Sequence, residues 1–260
     1  MTVHEPGARV FGDVADEYDR IRPGYPPALV DDVLDYARLG DAPAIEIGAG
    51  TGKATVAFAQ RGVAITAVEP DEKMAAVLTR RVPDVAVVTS SLEEYRPTRR
   101  YGLLYSAQAW HWTDPAGRWE RAANALAPGG ALALFWNMDR PADPDVTAVV
   151  LAAHRRHAPH IVPNFTPSDE AELRTSWPGT ELGAHAEFGD LAERLYRWNR
   201  PMSAADYVAL LATRSDYLLL DRDAHARLFR DVEDSLGDRV DLCVETALYL
   251  ARRRGSARRD

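Results

Sequence analysis

Between about residues 25 and 137, short apolar runs at 43–48, 63–68, 85–89, 102–107 and 131–137 alternate with segments whose apolar residues return every three or four positions. Leu29, Val33, Leu34 and Tyr36 form one such set, Val56, Ala57 and Ala59 a second, and Met74, Val77 and Leu78 a third. A continuous apolar run suits a strand buried on both faces, and the longer period suits a helix laid over it. The alternation predicts βαβ units in an open, doubly wound, mostly parallel sheet. Asp114-Pro115 opens one further helix, which Pro128-Gly129-Gly130 is expected to close before the fifth strand.

After Asn137 the rhythm changes. Pro141, Pro144, Pro159, Pro163, Pro167 and Pro178 punctuate helical pieces at about 145–158 and 168–175, the pattern of an inserted cap. Two late strands, about 185–198 and 240–251, flank helices at about 203–214 and 222–236. The expected architecture is therefore a seven-stranded α/β sheet with a helical cap. Residues 1–137 would hold an N-terminal segment and the α/β core, 138–184 the cap, and 185–260 the last two strands with their inserted helices.

Composition narrows the function. The 260 residues are 46% hydrophobic and 27% charged, as in a soluble globular protein, and the formal charge is −8. Nucleic-acid affinity draws on Lys and Arg neutralising phosphates, so this balance disfavours such a partner and favours a small molecule. Cys243 is the one cysteine and sits in a strand-like run, which points to packing and gives no sign of an oxidising compartment. Neither a secretory signal nor an apolar stretch of membrane-spanning length is visible, so a cytoplasmic location without membrane attachment is expected. The basic tail at 252–259 reads as a solvated terminus. Nothing in the chain indicates an oligomeric state.

The candidate chemistry begins at Glu46-Ile47-Gly48-Ala49-Gly50-Thr51-Gly52, which follows an apolar strand and precedes a helix. Glycines there let the backbone turn sharply and approach a ligand. A phosphate-binding P-loop needs four residues between its first glycine and Gly-Lys, then Ser or Thr; here three intervene and Ala54 follows Lys53. A dinucleotide turn needs its third glycine one position later than Gly52. Glu69 and Pro70 end the second strand, where an open α/β sheet presents groups to a ligand, and the Glu69 carboxylate could accept from two ribose hydroxyls.

The turn resembles motif I of class I S-adenosylmethionine-dependent methyltransferases. The resemblance implies S-adenosylmethionine as cofactor, S-adenosylhomocysteine as product and no metal. It assigns Glu46, Gly48, Ala49 and Gly50 to the methionine end and Glu69 with Pro70 to the ribose. Ser90-Ser91-Leu92-Glu93 is similar to the family segment that frames adenine, with Ser91 where an Asp is commoner, so Ser91 and Leu92 join the set. The segment from Phe11 to Pro26, with Tyr18-Asp19 and Arg22-Pro23-Gly24-Tyr25-Pro26, resembles the N-terminal segment of trans-aconitate methyltransferase-like enzymes. That likeness makes Tyr18 and Arg22 candidates for the methionine moiety, since a guanidinium can engage a carboxylate through two hydrogen bonds. Ser106-Ala107-Gln108-Ala109-Trp110-His111-Trp112 resembles the loop at the methyl-donating end of the pocket in that subgroup and adds Ala107 and Gln108.

Methyl transfer from a sulfonium is an in-line displacement that demands positioning and exclusion of water. Aromatic faces suit a cationic donor, so Trp110, Trp112 and Tyr18 are candidates for the mouth of the site. His111 is the candidate base if the acceptor is a hydroxyl, and only orients substrate or braces the loop if it is a carboxylate. Arg155 or Arg156 could receive an acidic substrate. His154, His157 and His160 share a helical segment, but Pro159 is expected to end the helix before His160, which argues against a metal site. The alternatives are a cofactor-binding accessory protein, an RNA or protein methyltransferase, and an NAD-dependent dehydrogenase.

Overall fold

The computed structural model describes residues 15–255, so Phe11–Val14 of the N-terminal motif and the tail beyond Gly255 lie outside the described residues. Among the described residues, α1 (Ala15–Ile21) and α2 (Pro27–Ala37) precede β1 (Ala44–Ile47), α3 (Lys53–Ala59), β2 (Ile65–Glu69), α4 (Glu72–Arg81), β3 (Ala86–Thr89) and β4 (Tyr101–Ala107). There follow α5 (Arg118–Ala125), β5 (Leu126–Pro141), α6 (Pro144–His157), α7 (Gly179–Ala184), β6 (Phe188–Ser203), α8 (Ala204–Ala212), α9 (Ser215–Leu218), α10 (Arg222–Ser235) and β7 (Arg239–Arg253). Short 3-10 turns cover Trp110–Trp112 and Glu170–Thr175.

The strands form one seven-stranded sheet in the order β3-β2-β1-β4-β5-β7-β6. β1 to β5 run parallel and β7 is antiparallel to both β5 and β6. The unbroken apolar runs of the first strands have the physical cause expected of them: Ala44, Ile45 and Ile47 are buried, and apolar clusters of helix and strand residues cover both sheet faces. The strand order reverses between β1 and β4, which opens a crevice at their carboxyl ends.

The Pro128-Gly129-Gly130 expectation needs correction. α5 stops at Ala125 and Leu126 already pairs with Tyr101, whereas the next pairing joins Leu103 to Ala131. Residues 127–130 therefore bulge within β5. A Cβ on Gly130 would lie 3.0 Å from the Ala127 carbonyl oxygen and 3.1 Å from that of Tyr101, so the glycine serves the close approach of backbone to backbone.

β5 and β6 each run 16 residues and β7 runs 15, well beyond the short parallel strands. Their extra length carries the helical layer. Val150 and Ala153 of α6 pack with Tyr207, Leu210 and Leu211 of α8, Leu228, Phe229 and Val232 of α10, and Val240, Leu242 and Val244 of β7. Ile21 of α1 joins the same cluster. Residues from 138–184 and from 204–235 thus share one core, and burial of so many large apolar side chains, each contributing about 1.5–3 kcal/mol, docks the layer on the sheet. Cys243 is half-buried in β7.

Candidate active site

The glycine-rich turn is shaped by what crowds it. Gly48 has φ +69°, and a Cβ there would stand 2.3 Å from the Cβ of Ala109, so the Ala-Trp-His-Trp loop packs directly on the turn. Gly52 has φ +87° at the start of α3, where a Cβ would lie 2.4 Å from Cδ1 of Leu78. The amides of Gly48 and Ala49 donate to the Val68 carbonyl, at 2.9 and 3.1 Å. Glu69 then clamps the turn: its Oε2 accepts from the Gly50 amide at 2.7 Å and its Oε1 from the Asp71 amide at 2.9 Å. Asp71 in turn caps α4 by accepting from the amides of Lys73 and Met74.

Above this turn opens a cavity of about 730 Å³. Its lining includes Tyr18, Arg22, Gly48, Gly50, Glu69, Pro70, Ser91, Leu92, Ala107, Gln108, His111 and Trp112. An adjoining recess is lined by Glu46 and Ala49 together with Tyr18, Arg22, Gly48 and Gly50. Of the residues singled out from the sequence for the cofactor and substrate, all but Trp110, Arg155 and Arg156 line one of these two spaces.

Trp110 and Arg155 do not. The 3-10 turn sends Trp110 inward, fully buried with its ring 5.3 Å from that of Trp119, and leaves His111 and Trp112 to face the cavity. Trp110 is therefore a core residue. Arg155 is exposed, because α6 turns Val150, Ala153 and His154 toward the helical layer, and Arg156 pairs with Asp231 at 2.7 Å. His154 is structural too: its Nδ1–H donates to the Val150 carbonyl at 2.6 Å, so its Nε2 accepts from the Tyr217 hydroxyl at 2.7 Å. No group of metal-binding side chains occurs among the described residues.

Two carboxyls define the electrostatics. Glu46 is buried; its Oε2 accepts from the Thr55 hydroxyl at 2.6 Å and the Tyr105 hydroxyl at 2.9 Å, while its Oε1 is buried without a partner. Burial pushes its pKa up to about 8, against the pull of those two hydroxyls. Burial likewise raises Glu69 to about 7, opposed by its two amide donors. Arg22 faces the same recess. Its Nε donates to the Thr213 hydroxyl and its Nη2 to the Thr213 carbonyl, both at 2.9 Å, and its guanidinium lies 5.1 Å from the centre of the Tyr18 ring. No ion pair of Arg22 occurs among the described residues.

Ser91 accepts from the Glu94 amide at 3.3 Å, and Glu93 from the Asp114 amide at 2.8 Å, so the segment after β3 is tied to the loop after β4. Gln108 holds φ +60°, and its Nε2 donates to the Asn137 carbonyl at 2.9 Å. A non-glycine residue in the left-handed region is backbone strain of the kind that gathers at functional sites. Lys53, at the start of α3, reaches Asp19 of α1 at 3.8 Å.

The cavity also holds residues that sequence reasoning missed. Asn137, where β5 passes the site, donates to the Gly24 carbonyl at 3.0 Å and accepts from the Thr246 hydroxyl at 2.7 Å. Its signal was a polar residue closing an apolar run, the same signal that picked out Glu69. Asp139 and Arg214 pair at 2.7 Å across the cavity's far end. They are 75 positions apart, and no local pattern links them. Trp136 donates from Nε1 to Nδ1 of His111 at 3.2 Å. His111 is exposed as a whole residue, yet desolvation of its ring lowers its pKa to about 4, with the Arg118 charge adding to the effect. That shift favours the neutral imidazole at pH 7.

Residues 45–134 match the methyltransferase domain family. An uncharacterised methyltransferase of Mycobacterium tuberculosis (strain H37Rv) is 38% identical over 128 residues, 49% of this chain and 51% of that protein. A trans-aconitate 2-methyltransferase of Rhizobium etli is 29% identical over 114 residues, 43% of this chain and 44% of that protein. The chain thus spans about half the length of the curated relatives it matches. A solved structure named as a proposed type II methyltransferase from Anaeromyxobacter dehalogenans superposes with a TM-score of 0.63 at 21% identity, covering 89% of this chain and 97% of that one. The match at 45–134 thus lies within a seven-stranded sheet that has the Rossmann-like fold of class I methyltransferases.

Proposed function

We propose that the protein transfers a methyl group from S-adenosylmethionine to a small-molecule acceptor by in-line displacement. One observation carries the cofactor assignment. The recess behind the glycine turn is lined by both Arg22, a cation without an ion-pair partner among the described residues, and Glu46, a carboxyl with an orphaned buried oxygen. Such a pair is complementary to an α-amino-acid group, whose carboxylate would meet the guanidinium and whose ammonium would meet Oε1. The residues present therefore fit the methionine end of the cofactor.

Glu69 stands at the end of the neighbouring strand. Each of its oxygens accepts one amide and keeps a second lone pair, so the carboxylate can still receive ribose hydroxyls. Pro70, Ser91 and Leu92 continue the cavity toward the adenine position. When bound, the cofactor would supply an electrophilic methyl group on a sulfonium. The chain's own part is to hold the acceptor in line and keep water out, to which Tyr18 and Trp112 contribute aromatic surface.

The acceptor would enter at the end formed by His111, Asn137, Met138, Asp139 and Arg214. The acidic chain, at −8, supports a small molecule over a nucleic acid, and a carboxylic acid or natural product is the favoured class. A screen of small acids, phenols and amines for S-adenosylhomocysteine formation tests the reading. Formation with none of them, while S-adenosylhomocysteine still binds, would favour a non-catalytic cofactor-binding protein.

A further inference from the structure

We propose that Trp136 is a positioning residue that fixes His111 as an Nε2–H hydrogen-bond donor toward the methyl acceptor and bars it from acting as a base. That the ligand of His111 is a methyl acceptor rests on the methyl-transfer reading; the state of the ring does not.

An indole nitrogen can only donate. Trp136 Nε1–H meets His111 Nδ1 at 3.2 Å, so Nδ1 must offer its lone pair. In a neutral imidazole the proton then resides on Nε2, and neither nitrogen is left to accept a proton from substrate. The charged form is opposed from a second side. Arg118, only 3% exposed, places its charge near the ring and disfavours an imidazolium.

Trp136 is itself held rigidly enough to direct its N–H. Its ring meets Trp177 edge-on at 5.4 Å and Tyr249 edge-on at 5.9 Å. Trp177 is in turn clamped by the Arg118 guanidinium at 5.3 Å. His111 lines the cavity and Trp136 stands behind it, outside the lining, so the nitrogen tied to protein is the one at the wall. Nε2 has no hydrogen-bond partner among the described residues, and it is the atom left for a ligand. A donor there suits an acceptor group that is already nucleophilic at neutral pH and carries an oxygen able to receive a hydrogen bond. A hydroxyl that must first lose its proton would find no base in His111.

The test is long-range proton–nitrogen NMR of the full chain labelled at histidine, with His111 assigned by its loss in His111→Gln. The expected spectrum shows an unprotonated Nδ1 and a protonated Nε2 that persist from neutrality down to about pH 5, well below the ordinary midpoint near 6.5. A protonated Nδ1, or titration near 6.5, overturns the proposal. Trp136→Phe keeps the packing against Trp177 and Tyr249 and deletes only the N–H. It should raise the His111 pKa by about one unit, the size expected from losing one hydrogen bond to the neutral form. Tyr249→Phe should leave the His111 signals in place. An unchanged His111 in Trp136→Phe removes Trp136 from the role; if that variant does not fold, the wild-type tautomer and titration still decide. These spectra need neither cofactor nor substrate, so their failure is separable from failure to bind S-adenosylhomocysteine.

Discussion

At Gly48 two demands coincide, a left-handed backbone and a neighbour 2.3 Å from where a side chain would begin. Gly48→Ala forces the Ala109 loop away from the turn as well as straining the backbone, and should cost about 1–3 kcal/mol of stability. Because that loop also carries His111 and Trp112, S-adenosylhomocysteine affinity should fall at least about tenfold, as calorimetry alongside thermal unfolding would read. Gly24, by contrast, has nothing within 4 Å of where a Cβ would stand, and Gly24→Ala should leave both readings nearly unchanged. The residue scale is also where sequence reading succeeds unevenly. Glu46, Gly48 and Glu69 lie within a few positions of a strand end, where the glycine pattern and the family resemblance it carries point to them. Trp110 and His111 are adjacent in a patterned motif, yet a 3-10 turn sends one into the core and the other to the cavity. That choice depends on Trp119 of α5, which no local pattern announces.

At the scale of elements, α1 is strapped across the site by charges on three helices. Asp16 pairs with Arg80 at 3.0 Å and Asp19 with Arg81 of α4, Asp19 also faces Lys53 of α3 at 3.8 Å, and Arg20 reaches Asp206 of α8 at 2.8 Å. The Asp16 and Arg20 pairs are exposed and the two Asp19 pairs half-buried, so each contributes on the order of 1 kcal/mol or less and remains open to screening by salt. Tyr18 and Arg22 ride on this strap. Asp19→Asn should therefore speed release of S-adenosylhomocysteine by about two- to fivefold at low ionic strength, with the difference from wild type vanishing at high salt in stopped-flow measurements. A difference that persists at high salt would mean that Asp19 acts through something other than charge. The elements themselves were legible, since continuous apolar runs mark strands buried on both faces and a three-to-four-residue period marks the helices that cover them. The bulge at 127–130 was not, because Pro-Gly-Gly punctuates a strand as readily as it ends a helix. The Asp139–Arg214 pair was equally hidden, since β5 and α8–α9 meet only when the helical layer folds onto the sheet.

For the whole molecule, the two buried carboxyls make stability depend on pH. Glu46 and Glu69 hold protons more tightly folded than unfolded, with pKa values raised from an ordinary 4.5 to about 8 and about 7. Their contribution is fully present below about pH 4.5 and is lost as pH rises through about 7 and about 8. The free protein should accordingly lose stability between pH 5 and 9, by an amount on the order of a few kcal/mol. Glu46→Gln preserves the acceptor for Thr55 and Tyr105 and should flatten much of that slope in denaturant unfolding across the range. A slope unchanged in the variant would show that Glu46 ionises normally in the folded chain. The same energetics tie the fold to its ligand, because an ammonium arriving at Oε1 would favour the ionised carboxyl and offset the cost of its burial.

The functional reading stands or falls with the cofactor, and calorimetric titration of the purified chain with S-adenosylhomocysteine, with NAD and ATP as controls, decides it. Binding in the micromolar range is expected for S-adenosylhomocysteine alone, lost in Glu69→Ala and weakened in Arg22→Ala. Binding of NAD without S-adenosylhomocysteine, or S-adenosylhomocysteine binding indifferent to both substitutions, would overturn the assignment.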